Sequence, residues 1–336
     1  MNRTAARVAT ATAIVVWAVL AATATGSAHA EDFRWRLPAG FPEPAVPADN
    51  PMSEAKVALG AKLFADPRLS VTGRYSCQSC HSPERAFTDG RANSLGATGE
   101  TLSLNAPTLL NVAYNPSQGW RDAKLRTLEQ QMHGPLFNKD PRELGLAGRE
   151  TLVEHALLAD GEMVRAFGAA FPGLDQPVNM DNVIRAIAAY ERTLFAGYSA
   201  FDRYVFAGEH DALGERQKAG MQLFFSERTG CSDCHGGVNF AGPWVDREHA
   251  QAEPVFADTG TGVAVRVPTL RNLPATAPYM HDGRFEALDQ VLDHYERLAE
   301  DPAADPRLRR APLTTVERAR LRDFLLSLVD GPADIP

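Results

Sequence analysis

The chain has 336 residues with 34 basic and 42 acidic side chains, so its formal net charge is −8. This acidic balance argues against nucleic acids and anionic membrane surfaces as partners. The length is sufficient for about two domains.

Residues 1–30 resemble a secretory signal peptide. Arg3 and Arg7 precede an apolar stretch over residues 8–24, and Ala28-His29-Ala30 matches the usual cleavage pattern. The mature chain would keep 32 basic and 42 acidic side chains, a net charge of −10. An uncleaved membrane anchor is the alternative, because the apolar stretch is close to spanning length. No later segment is apolar enough to span, so we expect export without stable membrane insertion.

Three helices are predicted from capping residues that precede apolar residues at three-to-four spacing. They begin after Ser53, after Asp181 and after Thr314, and Thr314 forms a capping-box pattern with Glu317. Their apolar residues are Val57, Leu63 and Phe64, then Val183, Ile184, Ile187, Leu194 and Phe195, then Val316, Phe324, Leu325 and Leu328. Stretches rich in Pro and Gly separate the helices, and no sustained alternating pattern predicts a strand. The sequence therefore predicts a mainly α fold with long loops.

The pentapeptide C-x-x-C-H occurs twice, at residues 77–81 and 231–235, and uses all four cysteines. In this motif the two thiols form thioethers to a haem, and the histidine that follows is the proximal iron ligand. The predicted residues are Cys77, Cys80 and His81 in the first motif, and Cys231, Cys234 and His235 in the second. A zinc site and a pair of disulfides are alternatives, but neither predicts a histidine after both pairs. Two covalently bound haem c groups are expected. Because such haems are attached outside the cytoplasm, we also expect a periplasmic location.

The similarity between the two halves extends beyond these motifs. Three pairs of segments correspond in order and in approximate spacing: residues 60–64 and 220–224, residues 107–111 and 268–272, and residues 128–130 and 288–290. Duplication of one haem domain is the simplest explanation. We therefore predict two tandem c-type cytochrome-like haem domains, over residues 31–205 and 206–336.

The halves differ in residues that could handle protons or bind iron. The first half carries Gln118 and Glu129 among apolar and basic residues, whereas the corresponding stretch of the second half ends at Tyr295. A catalytic haem needs an open iron and a nearby proton-handling group. Taken alone, Glu129 is more often a solvated helix carboxylate, and Tyr295 is more often a packed core residue.

The chain resembles the bacterial di-haem cytochrome c peroxidase/MauG superfamily over nearly the whole mature length. The segments that carry the resemblance are residues 59–69, 77–90, 105–116, 127–135, 267–284 and 291–295. Residues 37–42, 46–56 and 224–237 are most similar to the MbnH-type branch. MbnH is associated with methanobactin and copper operons and oxidises a tryptophan of a partner protein.

The resemblance implies specific roles in the first, peroxidatic domain. His81 matches the proximal ligand, and Glu129 matches the distal-pocket glutamate. Gln118 falls near the distal glutamine, although the usual Trp-Asp-Gly-Arg is replaced here by residues 120–123, Trp-Arg-Asp-Ala. No histidine occurs in residues 87–101, where many relatives carry a blocking ligand, so the first iron is expected to be open. Blocking by His133 is the alternative.

Further roles are implied for the second, electron-transfer domain and for the contact between the domains. His235 matches the second proximal ligand. Tyr295, fourteen residues after His281, occupies the position of the sixth ligand, where cytochrome-fed peroxidases have methionine and MauG-type enzymes have tyrosine. Met221 and Met280 lie in the same half. Asn105, Thr276 and Pro278 match the residues that hold a calcium ion between the domains in this superfamily. Oxygen ligands suit that hard cation.

The implied activity is that of a di-haem peroxidase or oxidase of MauG/MbnH type. Hydrogen peroxide would react at the first haem, where Glu129 moves a proton from the near to the far oxygen. The resulting high-valent di-haem state would oxidise a residue of a partner protein. The analogy with MbnH implies a tryptophan as that residue and a copper-binding protein as the partner. One alternative is a peroxidase that detoxifies peroxide with electrons from a small cytochrome or cupredoxin. The other is a di-haem electron carrier without enzymatic activity.

Overall fold

The structure is a computed structural model that describes residues 33–140, 142–242, 254–302, 304–308 and 312–331. The predicted signal peptide, residues 1–30, lies outside this part of the chain. The helices are α1 Glu54–Phe64, α2 Leu128–Phe137, α3 Glu150–Leu158, α4 Gly161–Ala170, α5 Met180–Glu191, α6 Ala200–Val205, α7 Glu215–Phe224, α8 Leu288–Glu300 and α9 Thr315–Leu325. Two short strands, β1 Phe256–Asp258 and β2 Ala264–Arg266, pair antiparallel. The predicted mainly α fold with long loops is confirmed.

Side-chain caps define where three of these helices begin. Ser53 caps α1 by accepting a hydrogen bond from the Lys56 N–H, and Thr314 caps α9, as predicted. The prediction for α5 is wrong, because Asn179 caps this helix by accepting from the Asn182 N–H at 2.8 Å. Asp181 instead lies in the first turn, where its negative charge favours the positive end of the helix dipole.

The internal repeat appears in three dimensions as two equivalent helix crossings. Helix α1 packs on α5 in the first half, and α7 packs on α9 in the second. A Cβ atom at Gly60 would collide with the carbonyl oxygen of Ala186, and one at Gly220 would collide with that of Arg320. Glycine therefore permits the same close backbone contact in both halves.

A second structural correspondence involves Asn111 and Asn272. Both have φ of 58°, a left-handed conformation that asparagine tolerates better than most residues. The Oδ1 of Asn111 accepts from the Ala196 N–H at 2.9 Å, and that of Asn272 accepts from the Asp330 N–H at 2.9 Å. The repeated segments thus adopt the same local geometry, which supports duplication.

Two buried hydrophobic clusters follow one another along the chain. The first extends from Leu59 to Ala196, and the second from Phe201 to Leu328. This order agrees with two domains, but the division between residues 205 and 206 stays a prediction. Among the described residues, no helix combines the length and apolarity needed to cross a lipid bilayer.

Candidate haem sites

Each C-x-x-C-H motif forms one tight turn. The N–H groups of Cys80 and His81 donate to the Cys77 carbonyl at 3.2 and 2.9 Å. In the second motif, Cys234 and His235 donate in the same way to the Cys231 carbonyl, at 3.3 and 2.9 Å. All four cysteines are free thiols in the structure, so each pair is available for two thioether bonds.

Both motif histidines present one ring nitrogen for metal binding. Nδ1 of His81 donates to the Phe87 carbonyl at 2.9 Å, and Nδ1 of His235 donates to the Phe240 carbonyl at 3.1 Å. Burial lowers the pKa of His81 and lowers that of His235 to about 4. Each ring is therefore neutral at pH 7, with the Nε2 lone pair available to an iron ion.

A cavity of about 240 Å³ lies beside the second motif, with a mainly apolar lining. Cys231, Cys234 and His235 face it from the motif, and Tyr295 faces it from α8. Burial, followed by the neighbouring Cys234 and Cys231 thiols, raises the pKa of Tyr295 to about 12. The phenol and both thiols line the same cavity. Two thiols, an imidazole and a phenol around an apolar cavity form a donor set that fits haem c, with Tyr295 available as a further ligand.

The two methionines of the second half lie in different places. Met280 lines the same cavity as Tyr295, together with His281. Met221, in contrast, packs against the second hydrophobic cluster. Of these two methionines, Met280 is therefore the one that shares the cavity with Tyr295, the predicted ligand.

Glu129 is held in a buried polar cluster in the first half. Its Oε1 accepts from Asn50 Nδ2 at 2.6 Å, and its Oε2 accepts from Arg192 Nη2 at 2.6 Å. The Arg192 and Glu129 side chains are only 3% and 18% exposed. Burial opposes ionisation of the carboxyl, but the bonds from Arg192 and Asn50 outweigh it and lower the pKa of Glu129. Glu129 is thus an ionised, partly buried carboxylate rather than a solvated one.

Glu191 connects this cluster to the first haem motif. It is 6% exposed and directly precedes Arg192 at the end of α5. Burial raises the pKa of Glu191 to about 8, and the Glu129 charge adds to that rise. Burial, followed by Glu191, also raises the pKa of the Cys77 thiol. Glu191 therefore lies within electrostatic reach of both Glu129 and Cys77. Sequence reasoning missed Asn50, Glu191 and Arg192, because none belongs to a recognisable motif.

The contacts of Gln118 and His133 go to residues outside the Glu129 cluster. Gln118 Nε2 donates to the Val112 and Asn115 carbonyls at 3.2 and 3.3 Å. Its Oε1 is buried without a partner in the described part of the chain. His133 is exposed on α2, where its ring packs against Phe137 at 5.7 Å. The catalytic role of Gln118 stays a prediction.

The predicted calcium ligands are brought together in part. Asn105 Nδ2 donates to the Pro278 carbonyl at 3.3 Å and to the Arg91 carbonyl at 2.7 Å. The Thr276 hydroxyl instead donates to the Leu273 carbonyl at 3.2 Å. The described residues contain no group of three or more His, Cys, Asp and Glu side chains suited to a metal ion. Asn105 and Pro278 thus converge from different halves, and calcium binding stays a prediction.

Two haem-attachment turns on a duplicated helical framework define a di-haem c-type protein. The family described as di-haem cytochrome c peroxidase matches residues 54–211. The chain is 33% identical to methylamine utilization protein MauG of Methylorubrum extorquens, over 94% of this chain and 90% of that protein. It is 37% identical to cytochrome c551 peroxidase of Pseudomonas aeruginosa, over 72% of each chain. The chain therefore belongs to the di-haem cytochrome c peroxidase/MauG family.

A solved structure of a MauG-like protein associated with microbial copper homeostasis is also similar to this chain. The TM-score is 0.80 with 36% identity, covering 89% of this chain and 96% of that one. The predicted family and the predicted enzyme class, a haem-dependent oxidoreductase that uses peroxide, are confirmed. Two haem c groups follow from this membership and from the two motifs.

Proposed function

We propose that this protein is a periplasmic di-haem enzyme that uses hydrogen peroxide to oxidise a tryptophan of a partner protein. The observation that carries the proposal is the position of Tyr295 in the same cavity as Cys231, Cys234 and His235. An anionic phenolate ligand favours oxidised iron, whereas methionine favours reduced iron. A tyrosine-ligated second haem is therefore suited to storing an oxidising equivalent. Export through the signal peptide of residues 1–30 is part of the proposal.

Glu129 is the proton-handling group in this proposal. Cys77, Cys80 and His81 would hold the first haem, which would supply an iron centre for the cleavage of peroxide. Arg192 and Asn50 keep the Glu129 carboxylate ionised, so it is ready to accept the first proton of peroxide. It then returns that proton to the oxygen that leaves as water. The carboxylate begins and ends the step ionised, and no net proton is consumed.

We propose that electrons pass from the partner to the haems over a long distance. The oxidised side chain of the partner therefore does not need to enter either haem pocket. We propose a copper-binding partner, by analogy with the solved MauG-like protein associated with copper homeostasis. Fold-level analogy is the support for this step. A calcium ion held by Asn105, Thr276 and Pro278 would join the two halves, and the contact between Asn105 and Pro278 supports it.

A second candidate function is detoxification of peroxide with electrons from a small cytochrome or cupredoxin. The specific observation in its favour is Met280, which lines the same cavity as Tyr295. The similarity to cytochrome c551 peroxidase is consistent with it. A methionine ligand would favour the reduced state that accepts electrons from such a donor.

A competition experiment separates the two functions. Peroxide-treated holoenzyme is mixed with either a reduced small cytochrome or the copper-binding protein encoded nearest its gene. The proposed function predicts slow cytochrome oxidation and a mass increase on a partner tryptophan. Rapid turnover with the cytochrome, without modification of the partner, would favour the second function.

A further inference from the structure

Arg266 is a buried arginine whose positive charge is not balanced by a carboxylate of the described residues. It ends β2, is 4% exposed and lines the cavity beside the second haem motif. Its guanidinium carbon lies 5.4 Å from the centre of the Trp120 ring, and its backbone N–H donates to the Trp120 carbonyl at 2.8 Å. The backbone and the aromatic contact therefore fix the guanidinium at the cavity wall.

The hydrogen-bonding groups of this guanidinium are poorly satisfied. Its Nε is buried without a partner in the described residues, and Nη1 has only a long 3.4 Å contact to the Val267 carbonyl. No carboxylate of the described chain pairs with it. Burial lowers the pKa of Arg266 to about 10. Burying an unpaired charge is strongly unfavourable.

Arg271 shows how the same half buries a guanidinium with full compensation. Its side chain is fully buried, and its two terminal nitrogens each donate to an oxygen of Asp202 at 2.8 Å. Its Nε donates to the Val238 carbonyl at 2.8 Å. The contrast indicates that Arg266 is built to meet an anion that the described residues do not supply.

We propose that Arg266 binds a propionate carboxylate of the haem held by Cys231, Cys234 and His235. The haem carries two propionates, and these are its anionic groups. Guanidinium and carboxylate match in a bidentate geometry. The cavity that Arg266 lines is also lined by the haem-attachment residues. A haem in this cavity would therefore supply the carboxylate that Arg266 lacks.

The pairing has a consequence for electron transfer. A positive charge next to a haem stabilises the reduced form, which carries one more electron, so Arg266 raises the reduction potential of the second haem. Because the same guanidinium lies over Trp120, it also connects the second haem to the loop of the first half. Arg266 is thus a positioning residue whose charge raises the reduction potential of that haem.

The test compares Arg266→Gln and Arg266→Lys with Arg297→Gln in the di-haem holoprotein. Arg297 is exposed on α8 and lies outside the cavity lining, so its variant removes one charge from the same half as a control. Arg266→Gln should lower the reduction potential of the second haem and shift the propionate bending mode in the resonance Raman spectrum. Arg266→Lys should leave the reduction potential of the second haem close to the wild-type value but still shift the propionate mode. Arg297→Gln should change neither.

Three results would overturn the proposal. Wild-type potential and wild-type propionate mode in Arg266→Gln would show that no propionate contacts this residue. If Arg266→Gln does not accumulate, an unaltered propionate mode in Arg266→Lys leads to the same conclusion. A potential that depends on Arg266 and varies with chloride or acetate concentration would assign the site to an exchangeable anion. Neither readout depends on peroxidase activity, so failure of the proposed function leaves this test intact.

Discussion

Replacing Glu129 by glutamine removes the carboxylate and retains its size. The variant leaves Arg192, whose side chain is 3% exposed, without its counter-charge. Breaking one partner of a buried ion pair costs about 3–5 kcal/mol. Glu129 is itself 18% exposed, and a glutamine oxygen still accepts one hydrogen bond. We therefore expect the free energy of unfolding to fall by an amount near the low end of this range, about 3 kcal/mol.

The same change is expected to slow the reaction with peroxide. A positioned acid–base group contributes about 10²–10⁴-fold to a rate, so Glu129→Gln should react about a hundredfold more slowly or worse. Stopped-flow absorbance of the first haem measures the rate, and denaturant unfolding measures the stability. Both haems and their resting spectra should be retained.

Glu162 on the surface of the same half provides a matched control for Glu129. Glu162→Gln removes an exposed carboxylate of α4 in the same half, whose partner is Lys62 at the surface. It should change neither the peroxide rate nor the stability appreciably. Wild-type peroxide rates in Glu129→Gln would refute the assignment of Glu129 as the proton-handling group, even if the stability falls as expected.

Three further predictions follow from the two sites. Electron paramagnetic resonance of the di-ferric protein should show one high-spin haem, bound by His81, and one low-spin haem, whereas two low-spin haems would count against an open first iron. Burial raises the pKa of Glu191 from 4.5 to about 8, so the folded protein binds a proton that the unfolded chain releases in that window. Stability should therefore fall as pH rises from about 5 to 8, and a Glu191→Gln variant with the wild-type pH profile would contradict this. Tyr295→Phe should abolish the low-spin spectrum of the second haem, while retention of that spectrum would identify another residue, such as Met280, as the ligand.

Features set by short-range spacing could be predicted from the sequence. The two haem motifs follow from five-residue patterns, and the helix starts at Ser53 and Thr314 follow from local capping chemistry. The α5 cap was misplaced by two residues because Asn179 and Asp181 are both good capping residues. Local propensity cannot choose between them.

Features that depend on distant partners could not be predicted. Glu129 meets Asn50 across 79 positions and Arg192 across 63 positions of the chain. Arg266 meets Trp120 from the other half. Their burial and charge balance arise only when the helices pack, so no local pattern reveals these partners in advance.

The central claim is that peroxide oxidises both haem centres of the resting enzyme and that Tyr295 makes this state persist. One equivalent of hydrogen peroxide is added to the di-ferric protein without any electron donor, and Mössbauer spectroscopy follows both irons. We predict that both irons are oxidised and remain so for long enough to react with a partner protein. Oxidation of the first iron alone, followed by rapid decay, would contradict this account and favour a peroxidase fed by a small cytochrome.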